Sequence, residues 1–426
     1  MPVEFVPKEA GLVARTLILC PTFTHADTLY AALASVQVQS DHDWEMVVIG
    51  DGAPDRTREI VESFASWDAR ISFRPFEKGP GYGEFYRDRV IRETEAEFIC
   101  HLGDDDVWSD THLAAMVALL HRADWAMSGV LRLSRNNQCQ WRFANQGVAA
   151  LRAAAAANPV LLSLGGLNNV AMRRAAYLRL PEGWTPAAPG RASDHTMWSK
   201  MLGQPWLRVA ASTRPTFVKL GAHGPRAQDA PSVRMAEAAP LLARINRAGW
   251  IDQLRRGASI AGSLPRALAV AGPRQATSPE AALEAVGLRV TDDEAAFECG
   301  FDGALASLPL TPQQSSQLAL VWGLMQGAPG PADRTGQLAR RHPRLLTATL
   351  RELLTVDEEL GRAALARVRD GLGLVLPAAR AEIEHFIRQG DWMRAEAACD
   401  ALGPAQAEPW IATLRQKIVR NRPPSD

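Results

Sequence analysis

Residues 98–108 read FICHLGDDDVW, an apolar run that leads directly into three aspartates and then into Val107 and Trp108. The apolar run has the length and composition of a buried strand, so the acidic cluster stands where that strand ends. Like charges this close together repel one another unless a cation lies between them or a pKa is raised. The stretch therefore indicates a divalent-metal site, and the alternative is a solvated acidic turn.

Other apolar runs precede this stretch and alternate with segments of helical periodicity. The predicted strands are residues 15–20, 44–49 and 71–76, and the predicted helices are residues 28–39, 55–66 and 84–94. Strands and helices that alternate at this spacing are typical of βαβ units in a mostly parallel sheet. We therefore expect an α/β fold in which polar ligands bind beyond the carboxyl ends of the strands. Asp51 and Asp105 both follow predicted strands, so we expect them to converge.

Three stretches together resemble a known family. They are LCPTF at 19–23, VIGDGAPD at 48–55 and LGDDDVW at 102–108, and in this order and spacing they look like the inverting family 2 glycosyltransferases. The resemblance covers roughly residues 12–225. It implies the GT-A fold, a Rossmann-like, mostly parallel sheet with flanking helices.

The resemblance also implies roles for individual residues. Pro21 and Thr22 would lie against the nucleotide, and Asp51 would accept a hydrogen bond from its base. Asp105 would bind the metal that bridges the two phosphates, and Asp104 would lie nearer the ribose or the donor sugar.

Two glycines depart from the family pattern. Relatives often carry acidic residues where Gly50 and Gly103 stand. The identity of the nucleotide, and which aspartate touches the metal, therefore stay open.

A metal is expected because the leaving group is a nucleoside diphosphate. A hard divalent cation with oxygen ligands stabilises the negative charge that grows on it, and Mn²⁺ or Mg²⁺ needs only one or two protein carboxylates. His223 is a candidate late ligand and would favour Mn²⁺. The alternative for His223 is a loop histidine that binds nothing.

Sugar transfer also needs a base that takes the proton of the acceptor hydroxyl. Asp194, in a stretch that looks like the acidic motif at the start of a family helix, is the candidate general base. Its alternative is a helix N-cap, and the neighbouring His195 is a rival for the same role.

Arg87 is a candidate for binding the diphosphate, because a guanidinium can bind two phosphate oxygens at once. Arg89 is an equal contender, and either could be a solvated arginine on a helix face. The glycine-rich stretch 79–83 resembles a phosphate cradle only weakly.

Composition limits the other classes of function. The 426 residues carry 47 basic and 47 acidic side chains, so nothing favours nucleic acid as a partner. The five cysteines form no zinc spacing or disulfide framework, which indicates a reducing compartment. We find no signal peptide and no apolar run long enough for a membrane span. These features predict a cytoplasmic protein that meets any lipid-linked acceptor from the inner face of the membrane.

The second half of the chain loses its strand signals and shows helical periodicity. The predicted helices are residues 280–286, 315–325, 343–354, 359–372, 379–387 and 392–402. We expect residues 1–230 to form the catalytic domain and 231–426 to form an all-helical domain that packs on it, binds a partner or forms a homo-oligomer. A tetratricopeptide repeat is a weaker alternative, since no period of about 34 residues is visible.

The sequence thus predicts an inverting, metal-dependent glycosyltransferase. Its donor would be a UDP-, GDP- or dTDP-sugar, and its acceptor a hydroxyl of a glycan, a lipid-linked sugar or a protein. Two alternatives remain: a catalytically silent GT-A domain that acts as a binding or scaffold module, and a sugar nucleotidyltransferase, which uses similar sheets and acidic sites.

Overall fold

The computed structural model describes residues 13–133, 138–157, 166–188, 191–220, 231–271, 276–326, 333–403 and 408–421. The chain folds into two compact units: Met1–Ala258 with Gly287–Pro309, and Ser259–Val286 with Leu310–Asp426. The first unit is therefore discontinuous in sequence. His223 lies outside the described residues, so its role stays a prediction, as does the division of roles at residue 230.

In the described residues, the first unit holds a ten-stranded sheet and a small two-stranded sheet. The strands of the large sheet are β1 (Thr16–Thr22), β2 (Trp44–Asp51), β3 (Ile71–Phe76), β4 (Phe98–His101), β5 (Val107–Trp108), β6 (Trp125–Leu133), β7 (Cys139–Arg142), β8 (Val170–Arg173), β9 (Val209–Leu220) and β11 (Gly300–Phe301). β10 (Leu288–Thr291) and β12 (Ala306–Pro309) form the small parallel sheet.

The first half of the large sheet is parallel, as the alternating sequence pattern predicted. β1 lies between β2 and β4 and pairs in parallel with both, and β3 adds to the outer side of β2. Beyond β4 the order continues through β8, β6, β9 and β11, with β8 antiparallel to β4 and to β6. The carboxyl ends of β1, β2 and β4 consequently share one edge of the sheet.

Helices flank this sheet. They are α1 (Ala26–Gln37), α2 (Asp55–Trp67), α3 (Glu84–Glu93), α4 (His112–Leu120), α5 (Ala149–Ala157), α6 (Arg174–Leu178), α7 (Ser193–Leu202), α8 (Pro231–Ile245) and α9 (Trp250–Gly257). The core between sheet and helices contains fully buried aliphatic and aromatic side chains, among them Ile18, Val48, Phe98 and Trp108. This mostly parallel sheet with flanking helices confirms the predicted GT-A class.

The second unit is helical in its described residues, as predicted. Its helices are α10 (Leu264–Ala271), α11 (Pro279–Ala285), α12 (Pro312–Gln326), α13 (Arg334–Arg341), α14 (Pro343–Val356), α15 (Glu358–Ala366), α16 (Val375–Gln389), α17 (Trp392–Asp400) and α18 (Pro409–Asn421). Apolar side chains of the last three helices form a separate core, which includes Ile383, Ile411 and Ile418. None of the helices in the described part of the chain is long and apolar enough to cross a bilayer.

Candidate active site

The edge of the sheet where β1, β2 and β4 end brings together three of the predicted elements. Thr22 pairs in register with Gly50, the residue before Asp51. On the other side of β1, the amide of Leu102 donates to the carbonyl of Leu19 at 2.9 Å, so the pairing continues up to residues 103–106, here called the acidic turn. Thr22, Asp51 and the acidic turn therefore lie at one edge, as the strand pattern predicted.

Asp51 is almost fully buried at this edge, with 3% of its surface exposed. Its Oδ2 accepts a hydrogen bond from Lys78 Nζ at 2.6 Å, and its Oδ1 accepts one from the amide of Gly79 at 2.7 Å. A carboxylate has about four lone-pair positions, so two hydrogen bonds leave capacity for a further donor.

Lys78 is a site residue that the sequence reasoning missed. Its Nζ also donates to the carbonyls of Gly79 and Gly81, at 2.7 and 2.8 Å. The same nitrogen lies 5.4 Å from the centre of the Phe23 ring, whose surface is 46% exposed. Its one sequence signal was its position between β3 and the glycine-rich stretch, which is equally typical of a solvated lysine.

The glycine-rich stretch holds side chains of the site. The amide of Gly79 donates to Asp51, and the amide of Tyr82 donates to Oε2 of the fully buried Glu84. At Gly81, which has a φ of +86°, an added Cβ would lie 2.6 Å from that carboxylate oxygen. Since these two amides already have acceptors, the stretch does not present them as a phosphate cradle.

Asp104, in the acidic turn, is also buried. Its Oδ1 lies 3.1 Å from His25 Nδ1, at the start of α1. Burial raises the pKa of Asp104, and the hydrogen bond from His25 offsets part of that rise. Burial, with the nearby charges of Asp104 and Asp105, also raises the pKa of the Cys20 thiol well above its usual value. Both carboxylates therefore lie close to the end of β1.

Asp106 has a different environment. Its Oδ2 accepts hydrogen bonds from Lys219 Nζ, at 2.8 Å, and from Asn168 Nδ2. Asn168 also accepts from the amide of Gly103, and its carbonyl accepts from Trp108 Nε1 at 2.9 Å. Asp106 thus ties the acidic turn to β9 and to the 3-10 turn Leu167–Asn169, which is a role in the fold. The sequence alone did not distinguish it from its two neighbours.

Asp105 is the half-buried member of the turn. Its charge acts on Cys20 and, together with Asp106, raises the pKa of Lys219 against the opposing effect of burial. Carboxylate oxygens are the ligands that Mg²⁺ and Mn²⁺ prefer. A bound cation would stabilise the charged forms of Asp104 and Asp105, since burial already raises the pKa of Asp104. Among the described residues, however, no group of three or more His, Cys, Asp or Glu side chains is close enough to hold a metal. Within the described residues, Asp104 and Asp105 thus form at most a partial donor set for a metal.

Arg87 is buried in α3, with 2% of its surface exposed. Its Nη2 donates to the carbonyl of Tyr82 at 3.2 Å and to Oγ of Ser193 at 3.0 Å. Its guanidinium lies over the ring of Trp184, 3.7 Å from the ring centre. Burial lowers the pKa of Arg87 to about 10, against the opposing charges of neighbouring acids. Arg89, the rival candidate, instead makes an exposed ion pair with Glu93 at 2.7 Å.

Asp194 lies in the first turn of α7, where its Oδ1 accepts a hydrogen bond from the amide of His195 at 2.9 Å. The residue at the N-cap position is Ala192, so Asp194 is not the N-cap. The charge of Asp194 acts on Arg87, as do the charges of Glu84 and Asp51. Arg87 therefore has Asp51, from the sheet edge, and Asp194, from α7, within electrostatic reach. His195 is half-buried beside Asp194 and stays a rival by sequence position only.

Residues 17–158 match the family model described as glycosyl transferase family 2. The resemblance drawn from the three motifs is thus confirmed for the N-terminal part of the chain.

Curated relatives are similar over part of their length. The putative teichuronic acid biosynthesis glycosyltransferase TuaG of Bacillus subtilis is 24% identical over 111 residues, which are 26% of this chain and 44% of the relative. The UDP-Glc:alpha-D-GlcNAc-diphosphoundecaprenol beta-1,3-glucosyltransferase WfgD of Escherichia coli is 24% identical over 127 residues, which are 30% of this chain and 49% of the relative. The chain thus spans less than half the length of these relatives.

Two solved structures are also similar. Residues 1–349 of S. aureus TarS align with 88% of this chain and 92% of their own, at 13% identity and a TM-score of 0.37. The mannosyltransferase PcManGT from Pyrobaculum calidifontis, solved with GDP-Man and Mn²⁺, aligns with 99% of this chain and 90% of its own, at 14% identity and a TM-score of 0.37.

Proposed function

We propose that this protein is an inverting glycosyltransferase that uses a nucleoside diphosphate sugar. The acceptor oxygen forms a bond to the anomeric carbon while the bond from that carbon to the phosphate oxygen breaks, and its electron pair leaves with the nucleoside diphosphate. The proton of the acceptor hydroxyl passes to the Asp194 carboxylate. The observation that carries the proposal is that Asp51 and Asp194 both act on the buried Arg87, while Asp51 shares its sheet edge with the acidic turn.

The nucleotide would bind at the ends of β1 and β2. Pro21 is half-buried and Thr22 buried at the end of β1, so both border the space beyond the sheet. Asp51 has capacity for one more donor and would accept the N–H of the base. A buried carboxylate whose remaining acceptor position the wrong base leaves unfilled is the kind of group that discriminates between bases.

Asp105, with Asp104 behind it, would hold Mn²⁺ or Mg²⁺ together with the two phosphates. When bound, the cation neutralises charge that develops on the leaving nucleoside diphosphate. The chain's own contribution is to hold the two carboxylates at the end of the sheet, through His25 on Asp104 and through Asn168 on the amide of Gly103.

Asp194 would act as the general base because a carboxylate at the start of a helix can face an acceptor from outside the sheet. The hydrogen bond from the amide of His195 uses only one of its two oxygens. The other oxygen is the one that we assign to the acceptor proton.

The acceptor would be a hydroxyl in polysaccharide or glycolipid assembly. Two relatives are named for the biosynthesis of teichuronic acid and for a glucosyl transfer to a diphosphoundecaprenol-linked sugar, which supports this class of acceptor. A protein that meets such an acceptor from the cytoplasmic face of the membrane fits this proposal. The helical second unit would serve for packing, oligomerisation or partner binding.

Release of nucleoside diphosphate from UDP-, GDP- and dTDP-sugars, with Mn²⁺, with Mg²⁺ and with a chelator, tests the proposal. We expect release from one donor class, loss of it with chelator, and loss of it in Asp194→Asn. The anomeric configuration of the transferred sugar, read by NMR, tests inversion. Pyrophosphate formation from a nucleoside triphosphate and a sugar phosphate would instead identify a nucleotidyltransferase. A chain that binds no nucleotide in calorimetry would be a scaffold module.

A further inference from the structure

Arg87 uses its guanidinium to connect two segments that lie far apart in sequence. One nitrogen, Nη2, reaches both the carbonyl of Tyr82, in the glycine-rich stretch, and the hydroxyl of Ser193, the first residue of α7. Ser193 directly precedes Asp194. Arg87 therefore connects the glycine-rich stretch 79–83, whose Gly79 amide donates to Asp51, with α7, which carries the proposed general base Asp194.

Arg87 is also fixed from the side. Its guanidinium carbon Cζ lies over the Trp184 ring, 3.7 Å from the ring centre, and the amide of Trp184 donates to the hydroxyl of Tyr177 at 2.8 Å. The Tyr177 hydroxyl in turn donates to Asp88, one residue after Arg87, at 2.6 Å. A guanidinium that reached out to a diphosphate would lose this stacking and both of its hydrogen bonds.

The buried charge is balanced within the protein. Glu84 faces Arg87 from its own helix, with the closest oxygen 4.0 Å from Nη2. Asp51 faces it from β2, Asp194 from α7, Tyr177 from α6 and the imidazole of His101 from β4. Since three carboxylates surround it, the charge of Arg87 is balanced without a diphosphate, although its Nε has no hydrogen-bond partner among the described residues.

We infer that Arg87 is a positioning residue for the transfer reaction: it fixes the start of α7, and with it Asp194, against the loop that holds Asp51. The inference rests on the proposed function, and it replaces direct binding of the diphosphate as the role of Arg87. A base that stands about 1 Å out of place costs on the order of 100-fold in rate, so a loosened helix start should slow turnover without weakening the donor complex.

Ser193→Ala is the variant that isolates this connection. It removes the Ser193 hydroxyl, which accepts the hydrogen bond from Arg87, and it leaves the buried guanidinium and its contact with Trp184 in place. Ser193→Thr keeps a hydroxyl at the same position and should restore the rate. Thr196→Ala is the matched control, because Thr196 is on the same helix and its hydroxyl donates to the carbonyl of Ala192 at 3.2 Å rather than to Arg87. Arg87→Met removes the whole connection, and its melting temperature shows whether it still folds.

For each variant, kcat and donor KM are measured from nucleoside diphosphate release, and the affinity for the free nucleoside diphosphate is measured by calorimetry. We expect a fall in kcat of roughly tenfold in Ser193→Ala, with KM and nucleotide affinity unchanged, recovery in Ser193→Thr, and no change in Thr196→Ala. Arg87→Met, if folded, should show the same pattern with a larger loss.

Weaker nucleotide binding in Arg87→Met with an unchanged kcat in Ser193→Ala would overturn the inference and return Arg87 to the diphosphate, while the proposed function would stand. Wild-type protein that binds nucleotides but never releases a diphosphate from any donor would overturn the proposed function and the inference with it.

Discussion

Lys78 Nζ lies 2.6 Å from Asp51 Oδ2. The carboxylate that we propose to bind the nucleobase is therefore already ion-paired before any nucleotide binds. The lysine is 39% exposed and the aspartate only 4% exposed at their side chains. Removal of the lysine would thus leave a buried charge without its cation, which costs more than an exposed ion pair contributes. The same lysine closes the glycine-rich stretch through two carbonyls.

Lys78→Met should lower the melting temperature and should increase the stabilisation that a bound nucleotide gives. The N–H of the nucleobase would replace one of the hydrogen-bond donors that Asp51 loses with Lys78. Nucleotide binding would therefore offset part of the lost stability. The measurement is thermal unfolding with and without saturating nucleoside diphosphate. The double variant Lys78→Met with Asp51→Asn serves as the control, because it has no buried charge to satisfy. An equal nucleotide-induced shift in wild type and Lys78→Met would contradict the prediction.

Asp105→Asn and Asp106→Asn should separate function from folding within the acidic turn. Asp106 is buried and accepts from Lys219 and Asn168, while the Lys219 side chain is 38% exposed and can be solvated, so Asp106→Asn should destabilise the fold by about 1–3 kcal/mol. Asp105 is half-buried, so Asp105→Asn should keep its melting temperature and lose the response of donor cleavage to Mn²⁺. Denaturant unfolding and a Mn²⁺ titration of activity check the two effects. A folded, fully active Asp105→Asn would remove this carboxylate from the metal site.

The sequence predicted the elements well where burial follows a simple period. Strands β1 to β4 were placed within two residues of their observed ends, and the six apolar repeats each overlap a helix of the second unit, whereas α10, α13 and α18 were not predicted. The strands between residues 288 and 309 are too short to show a period and were missed. The longer strands Trp125–Leu133 and Val209–Leu220 were not predicted either.

The site was predicted only in part, because its side chains meet across long separations. Arg87 and Glu84 are buried on α3, although hydrophobic periodicity assigns charged residues to the solvent face. Their burial depends on Ser193 and Trp184, about a hundred residues further on, and no local pattern reports that contact. Asn168, which supports the acidic turn, likewise has no motif of its own.

Asp194→Asn should abolish transfer while the nucleotide still binds. The amide side chain keeps an oxygen for the His195 amide, so the start of α7 is preserved, but it cannot take a proton from the acceptor. Loss of a general base lowers the rate by about 10²–10⁴-fold. Steady-state kinetics and calorimetry with the nucleoside diphosphate measure the two effects. His195→Asn is the comparison, and a larger rate loss there than in Asp194→Asn would assign the base to His195.

His101→Phe should stabilise the protein and reduce its sensitivity to acid. His101 is fully buried against Trp184 and Trp198, and neither ring nitrogen has a hydrogen-bond partner among the residues that the structure describes. Unpaired buried polar groups cost about 1–3 kcal/mol each, so an apolar ring of similar shape should raise the free energy of unfolding. Burial, aided by Arg87, lowers the pKa of His101 well below its usual value.

As the pH falls below the ordinary histidine pKa of about 6.5, the unfolded chain binds a proton at residue 101 that the folded chain refuses, so stability is lost by up to about 1.4 kcal/mol per pH unit. His101→Phe should remove that contribution, which denaturant unfolding between pH 7.5 and pH 5 would measure. His112→Phe is the matched control: His112 is equally buried and burial lowers its pKa to about 3, but its Nδ1 lies 2.7 Å from Thr216 Oγ1. His112→Phe should also flatten the acid response, yet it should destabilise the protein at pH 7.5 because the Thr216 hydroxyl loses His112, one of its two side-chain partners among the described residues, and keeps only Ser128. Destabilisation of equal size in both variants at pH 7.5 would show that His101 packs as a satisfied core residue.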